Sequence, residues 1–280
     1  MSEMETADKG GAIDWNGAAG RSWVDLQGLL DHTFKPVENL LTEAAAAHSP
    51  EHLLDIGCGA GGTTLALARY LGPDAHCAGI DISAPLIEAA RMRAEREGLD
   101  TRFLCADAQD HDFAADSVDA IVSRFGVMFF ADPVAAFANL RRAARPDTVM
   151  TLIAWRDPDQ NPFMTAAARA AAPIIALPER QPNEPGQFGF ADADHVHGIL
   201  SRAGWAGVDL QPVDFDCGFP VAELGTYLLR LGPLGMALEG ADAAMHERVL
   251  TAVRPAFDRY VAGDEVRFTA ACWMITARDG

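Results

Sequence analysis

The chain has 280 residues, 49% of them hydrophobic, with 40 Asp and Glu against 22 Lys and Arg and a formal net charge of −18. That length allows one large core or a core with an inserted lid, and the acidic balance, with no Lys/Arg cluster, argues against nucleic acid as a partner. No apolar run is long enough to span a bilayer, and the start MSEMETADKGG lacks the basic and apolar stretches of a signal peptide. A cytoplasmic location and no membrane partner are therefore expected.

Residues 1–12 read as a disordered tail. Residues 20–47 read as helix, from the spacing of Trp23, Leu26, Leu29 and Leu30 and then of Val37, Leu40 and Leu41 after Pro36. A strand–helix alternation follows. Strands are expected at His52–Ile56, Ala75–Ile80, Thr101–Cys105, Val118–Ser123 and Thr148–Ala154. The helices between them start at Thr63, after Ser83 and at Pro133, and the first two stop at Gly72 and Gly98. Such an alternation predicts an α/β fold, a parallel sheet covered on both faces with its strand C-termini along one edge. Asp55, Asp81, Asp107 and Ser123 all fall at that edge. Beyond Trp155 the pattern breaks into an alanine-rich helical piece, the Pro/Gly-rich loop LPERQPNEPGQFGF, a helix at Ala191–Ala203, a strand at Val208–Phe215, a mostly helical 221–262 and a strand at Val266–Ala277. The expected organisation is a tail and helical cap over 1–40, a ligand-binding core over 41–156, and lid helices with two closing strands over 157–280, all in one compact domain.

The loop GCGAGG, residues 57–62, fits two templates. Gly57, Gly59 and Gly62 match the dinucleotide form G-x-G-x-x-G, whereas Gly57, Gly59 and Gly61 match the form G-x-G-x-G that accompanies S-adenosylmethionine. Glycine provides a tight turn and close backbone approach in both, so the loop alone does not choose. Asp81 does not choose either, since an acid there holds ribose hydroxyls of either ligand. Asp55, two residues before the loop, would repel a pyrophosphate but attract the ammonium and sulfonium of S-adenosylmethionine. Asp107 can accept from an adenine amino group while the N–H of Ala108 or Gln109 meets a ring nitrogen.

LLDIGCGAGG, GIDIS, ADAQD and VDAIVSRFGVMFFADPVAAFANLRRAARP, taken in order, resemble the successive motifs of class I S-adenosylmethionine-dependent methyltransferases, most closely the small-molecule enzymes of the ubiquinone and menaquinone type. The resemblance covers residues 14–155, with PGQFGFAD and VRFTAACWMITAR as weaker matches. It implies a Rossmann-like, doubly wound, seven-stranded sheet whose last strand is antiparallel, with an N-terminal helical cap and helical lid insertions. It further implies that Asp55 and the loop (Gly57, Cys58, Gly59, Gly61) hold the methionine end, with Ser123 and Arg124 approaching it. Asp81 would bind the ribose with Ile82 against the adenine, and Asp107, Ala108 and Gln109 would read the adenine edge. One departure is AARPDT, where the family has a Pro-Gly-Gly turn before the fifth strand.

Trp15, Asn16 and Trp23 precede the core, and Trp23 is the better candidate for a cofactor cover. Phe125, Met128, Trp155, Phe188, Phe190 and Tyr227 are candidates for an acceptor pocket. No catalytic motif stands out; His32, His111 and Arg124 are the only candidates. His195 and His197 lie on different faces of one helix, so no metal follows from them. Nor does one follow from the scattered Cys58, Cys77, Cys105, Cys217 and Cys272. The expected activity is in-line methyl transfer from S-adenosylmethionine to a small molecule, leaving S-adenosylhomocysteine, with a homodimer left open. The rivals are a nicotinamide-dependent oxidoreductase, a non-catalytic S-adenosylmethionine-binding module and, disfavoured by the charge, a methyltransferase of nucleic acid or protein.

Overall fold

The helical stretch expected over 20–47 is three helices: α1 (Ala18–Asp25), α2 (Gln27–Thr33) and α3 (Lys35–Ala46). The breaks fall at Leu26 and Phe34, whose ψ angles of 8° and 19° bend the path while both side chains stay in the core. The structure is a computed structural model that describes residues 13–279, so the tail expected at 1–12 lies outside it.

The alternation then appears as read. β1 (His52–Ile56), α4 (Gly62–Leu71), β2 (His76–Asp81), α5 (Ala84–Glu97), β3 (Arg102–Cys105), β4 (Val118–Arg124), α6 (Pro133–Ala143) and β5 (Ala144–Trp155) follow in turn. Local chemistry sets their ends. Ser83 Oγ accepts from the Leu86 N–H to start α5, and Gly98, at φ +66°, ends it. Asp132 accepts from the Ala135 N–H, with Pro133 in the first turn of α6. AARPDT is not a turn before β5, as expected, but lies largely inside it. Ala144 already pairs with Val118, and the register slips before Val149 meets Ala120. Asp147 absorbs the slip at φ +68°, a backbone shape that the family's glycines would reach without strain.

The chain continues through α7 (Pro162–Ala171), α8 (Ala193–Arg202), β6 (Ala206–Pro220), α9 (Leu224–Arg230), α10 (Gly232–Ala237), α11 (Ala243–Val253), β7 (Val261–Ala262) and β8 (Glu265–Arg278). The sheet order is β3-β2-β1-β4-β5-β8-β6. β1 to β5 are parallel, and β8 runs antiparallel between β5 and β6. The two-residue β7, an addition to the expected seven strands, pairs with β8. The order reverses between β1 and β4, where doubly wound sheets bind ligands.

β6 is longer than the expected Val208–Phe215, and its excess builds the lid. β5 ends opposite β8 at Trp155–Cys272, but β6 and β8 keep pairing from Asp214–Ala271 to Pro220–Glu265. This two-stranded arm rises past the strand-end edge. Phe163 of α7 sits among Phe219, Tyr227, Phe257, Tyr260 and Phe268, stacked on Phe268 at 3.9 Å. Each such buried ring stabilises the dome by ~1.5–3 kcal/mol relative to exposure.

Candidate cofactor site

The glycine loop turns away from β1 through three left-handed residues: Gly57 (φ +64°), Gly59 (φ +53°) and Gly61 (φ +80°). Gly62 is not among them; it is already the first residue of α4. The conformational demand for glycine therefore follows G-x-G-x-G, not the dinucleotide spacing. At Gly57 a side chain is also excluded by space, since a Cβ would lie 2.6 Å from Gly126 Cα. Ser123 holds that contact together. Its Oγ donates to the Ile56 carbonyl at 2.7 Å and accepts from the Gly126 N–H at 3.2 Å. Ser123 is fully buried, so it shapes the loop from beneath instead of reaching toward a ligand. Cys58 likewise turns its thiol into the small core of Leu65, Ile87 and Phe103, where burial pushes its pKa up.

Asp55 is 1% exposed. One carboxylate oxygen accepts from Thr64 Oγ1 at 2.7 Å, and the other, Oδ1, is buried with no partner. Burial raises its pKa to about 7, against the opposing pull of Thr64 and Arg124. Arg124, at the end of β4, carries the complementary defect, because its Nη1 is also buried and unpartnered. Asp81 accepts from the Gly59 N–H at 2.9 Å and the Ser83 N–H at 2.8 Å, and burial raises its pKa despite both bonds. Ile82, beside it, is a large apolar side chain left 47% exposed. Asp107 accepts from the Gln109 N–H at 2.9 Å, so of the two expected adenine-edge donors Gln109 is already engaged and Ala108 remains.

The N-terminal segment is tied over the β2–α5 turn. Ser83 Oγ donates to the Trp15 carbonyl at 2.6 Å, and Asn16 Oδ1 accepts from the Ala84 N–H at 2.8 Å. Trp15 then packs edge-on to both Trp23 (5.7 Å) and Phe129 (5.3 Å). Trp23, the expected cover residue, is thus one member of an aromatic trio centred on Trp15.

The six expected pocket residues do not share one pocket. Phe125 (φ +65°) stacks on Trp155 at 4.7 Å, and Phe34 packs edge-on to both. Met128 and Phe190 line a cavity of about 490 Å³ off the glycine loop, with Asp132, Glu184, His195 and Arg202 at its rim. Phe188 lies under Arg180, and Tyr227 is inside the dome, its hydroxyl on Met164 Sδ. His32 is exposed on α2, and His111 packs edge-on to Phe113. Among the described residues no side chain hydrogen-bonds to either ring, so nothing orients them as bases. Among the same residues no three His, Cys, Asp or Glu side chains gather around a metal-sized space, and no helix is long and apolar enough to cross a membrane.

Two contacts at the site were invisible in the sequence. Arg93 of α5 donates to the Ala60 carbonyl at 2.8 Å and to Asp31 Oδ2 at 2.6 Å. Asp31, on α2, also faces Arg124 Nη2 at 3.7 Å. Sixty-two positions separate Asp31 from Arg93, and neither belongs to a recognisable motif.

Comparison with known proteins agrees with this geometry. A family model described as a methyltransferase domain matches residues 53–147. The chain is 33% identical over 127 residues to nocamycin O-methyltransferase of Saccharothrix syringae, covering 44% of this chain and 45% of that protein. It is 32% identical over 121 residues to demethylmenaquinone methyltransferase of Thermus thermophilus, covering 43% and 54%. The match thus spans about half the length of these relatives. Among solved structures, the YcgJ protein of Bacillus subtilis shares the fold at a TM-score of 0.57 and 20% identity, over 86% of this chain and 97% of that one. The [4+2]-cyclase SpnF shares it at 0.56 and 18%, over 92% and 94%, so the fold by itself does not fix the reaction. Residues 53–147, which carry the strand-end glycine loop, are thus similar to a methyltransferase domain.

Proposed function

We propose that the chain is an S-adenosylmethionine-dependent methyltransferase acting on a small, largely apolar molecule. The observation that carries this reading is the pair of buried, unpartnered polar atoms on adjacent strands, Asp55 Oδ1 and Arg124 Nη1. An α-amino acid end group, with an ammonium and a carboxylate, satisfies both, and an unpaired buried charge is costly enough to demand such a partner. A dinucleotide fits poorly, because Asp31, Asp55 and Asp81 would surround its pyrophosphate with negative charge.

In this reading Asp55 holds the ammonium, Arg124 the carboxylate, Asp81 the ribose hydroxyls and Ile82 one adenine face. Asp107 and the Ala108 N–H take the adenine edge, under the cover of Trp15, Trp23 and Phe129. Bound there, S-adenosylmethionine supplies an activated methyl group open to in-line displacement by an acceptor nucleophile. The chain's own contribution is orientation, worth ~7–11 kcal/mol when reactants are well aligned, and exclusion of water by the Phe34, Phe125 and Trp155 wall. No oriented base is required unless the acceptor must lose a proton. The relatives' names mention nocamycin, demethylmenaquinone and aklanonic acid, three different small molecules, which supports a small acceptor here.

Calorimetry tests the reading. S-adenosylhomocysteine should bind, NAD and NADP should give no heat, and Asp81→Ala should weaken binding about a hundredfold by removing two charge-assisted hydrogen bonds. Binding of NAD, or unchanged affinity in Asp81→Ala, would sink it. Transfer of a labelled methyl group to an acceptor separates the enzyme from a binding module.

A further inference from the structure

The N-terminal cap brings its own carboxylate to the place where the ligand's carboxylate would be held. Asp31 Oδ1 sits 2.4 Å from where a Cβ on Gly62 would lie, against the first turn of α4. That helix start has no side-chain cap, so its N–H groups attract an anion. Two guanidinium groups from different elements complete the setting, Arg93 of α5 bonded at 2.6 Å and Arg124 of β4 at 3.7 Å. The first contact is a full hydrogen bond, but the second is too long to be one. Arg124 is therefore only partly served, with Nη1 buried and unpartnered. All three charged side chains are largely shielded, at 25% exposure for Asp31, 15% for Arg93 and 16% for Arg124. The arrangement also gives Gly62 a reason to be glycine although its φ does not require one, because any side chain there would push Asp31 away.

We infer that Asp31 is a built-in competitor for the ligand's carboxylate at Arg124, a positioning residue that weakens the hold on the amino-acid end while the cap is closed. This deepens the cofactor reading above and rests on it. With a ligand carboxylate on Arg124, two anions share one guanidinium, and the repulsion falls on the cap helix, whose Asp31 keeps Arg93 as its own partner. The consequence is selective: a ligand with the amino-acid end pays this repulsion, and one without it does not.

The experiment compares two ligands on the full chain by calorimetry, S-adenosylhomocysteine and 5′-methylthioadenosine, which keeps the adenosine and thioether but lacks the amino acid. Asp31→Asn preserves size and the bond to Arg93 while removing the charge. It should tighten S-adenosylhomocysteine about two- to fivefold, the range of a partly exposed charge pair, and leave methylthioadenosine unchanged. Arg93→Gln frees Asp31 to move onto Arg124 and should shift the ratio of the two affinities the opposite way. It serves as the second test if Asp31→Asn disturbs the cap. Equal weakening of both ligands by Asp31→Asn would mean that Asp31 only holds the cap, and a ratio that falls would mean that it presents Arg124 to the ligand; either overturns the inference and leaves the cofactor reading standing. If the wild-type chain binds neither ligand, the cofactor reading falls and takes this inference with it.

Discussion

The strand-end site and the lid dome are built to opposite standards. In the dome, rings are packed and the buried amide of Asn161 is fully met. Asn161 alone donates to the Arg156, Asp157 and Ala271 carbonyls and accepts from the Ala271 N–H, while Phe163 touches five other aromatic rings. At the strand ends Asp55 and Arg124 each keep a buried unpartnered atom, and Phe125 is held at φ +65°. A non-glycine residue there costs ~1–3 kcal/mol and persists only when its surroundings force it. The contrast teaches where this chain accepts instability. Around the glycine loop, unmet polar atoms at Asp55 and Arg124 coincide with backbone strain at Phe125, and the dome supplies packing that tolerates them.

Four substitutions would break or sharpen that contrast, in falling order of effect. Phe163→Ala should cost about 3–5 kcal/mol of stability by chemical denaturation, because it empties the centre of a packed cluster. Phe125→Gly should cost well under half as much, since relief of its left-handed strain offsets part of the lost stacking on Trp155. Equal losses at the two positions would remove the distinction.

Asp55→Asn should give a smaller effect with a definite pH dependence. Burial lifts the folded pKa to about 7, above the ordinary aspartate value of 3.8. The carboxyl therefore favours folding most fully below about 3.8, and that contribution is lost as pH rises through about 7. Asparagine cannot ionise, so the variant should melt higher than wild type at pH 8 and close to it at pH 4, while binding S-adenosylhomocysteine less well. A gain that is the same at both pH values would show that the carboxylate is not the source of the cost.

Asn16→Ala should have the smallest effect. It removes two exposed ties of the N-terminal segment, to the Ala84 N–H and the Ile82 carbonyl, each worth at most ~0.5–1.5 kcal/mol. The fold should be nearly unchanged, and S-adenosylhomocysteine should dissociate a few-fold faster in stopped-flow measurements. An unaltered off-rate would remove Asn16 from the cover.

Much of the parallel core was legible because its signals are local. Strand β1 was read to the residue, since a short apolar run must end where the glycine loop begins. Ser83, Gly98 and Pro133 marked helix ends through their own hydroxyl, backbone freedom and fixed φ. The acids at the strand ends followed from the alternation. The single helical reading of 20–47 failed because Leu26 and Phe34 keep the apolar spacing while the backbone bends beneath them. The pocket residues were scattered because apolar character says that a side chain is buried, not against what.

The opening ambiguity at residues 57–62 shows where sequence stops. By itself the sequence determined that a ligand-binding loop stands between a strand and a helix, with acids at the neighbouring strand ends, because glycine spacing and periodicity are properties of nearby residues. Only the tertiary structure decided that φ demands glycine at 57, 59 and 61, and that Gly62 makes room for a carboxylate from α2. Only it set Asp31 between Arg93 and Arg124 and left Asp55 and Arg124 each one partner short. Those are distances between elements far apart in the chain, and burial, which makes an unpaired charge costly, exists only once the sheet has closed around it.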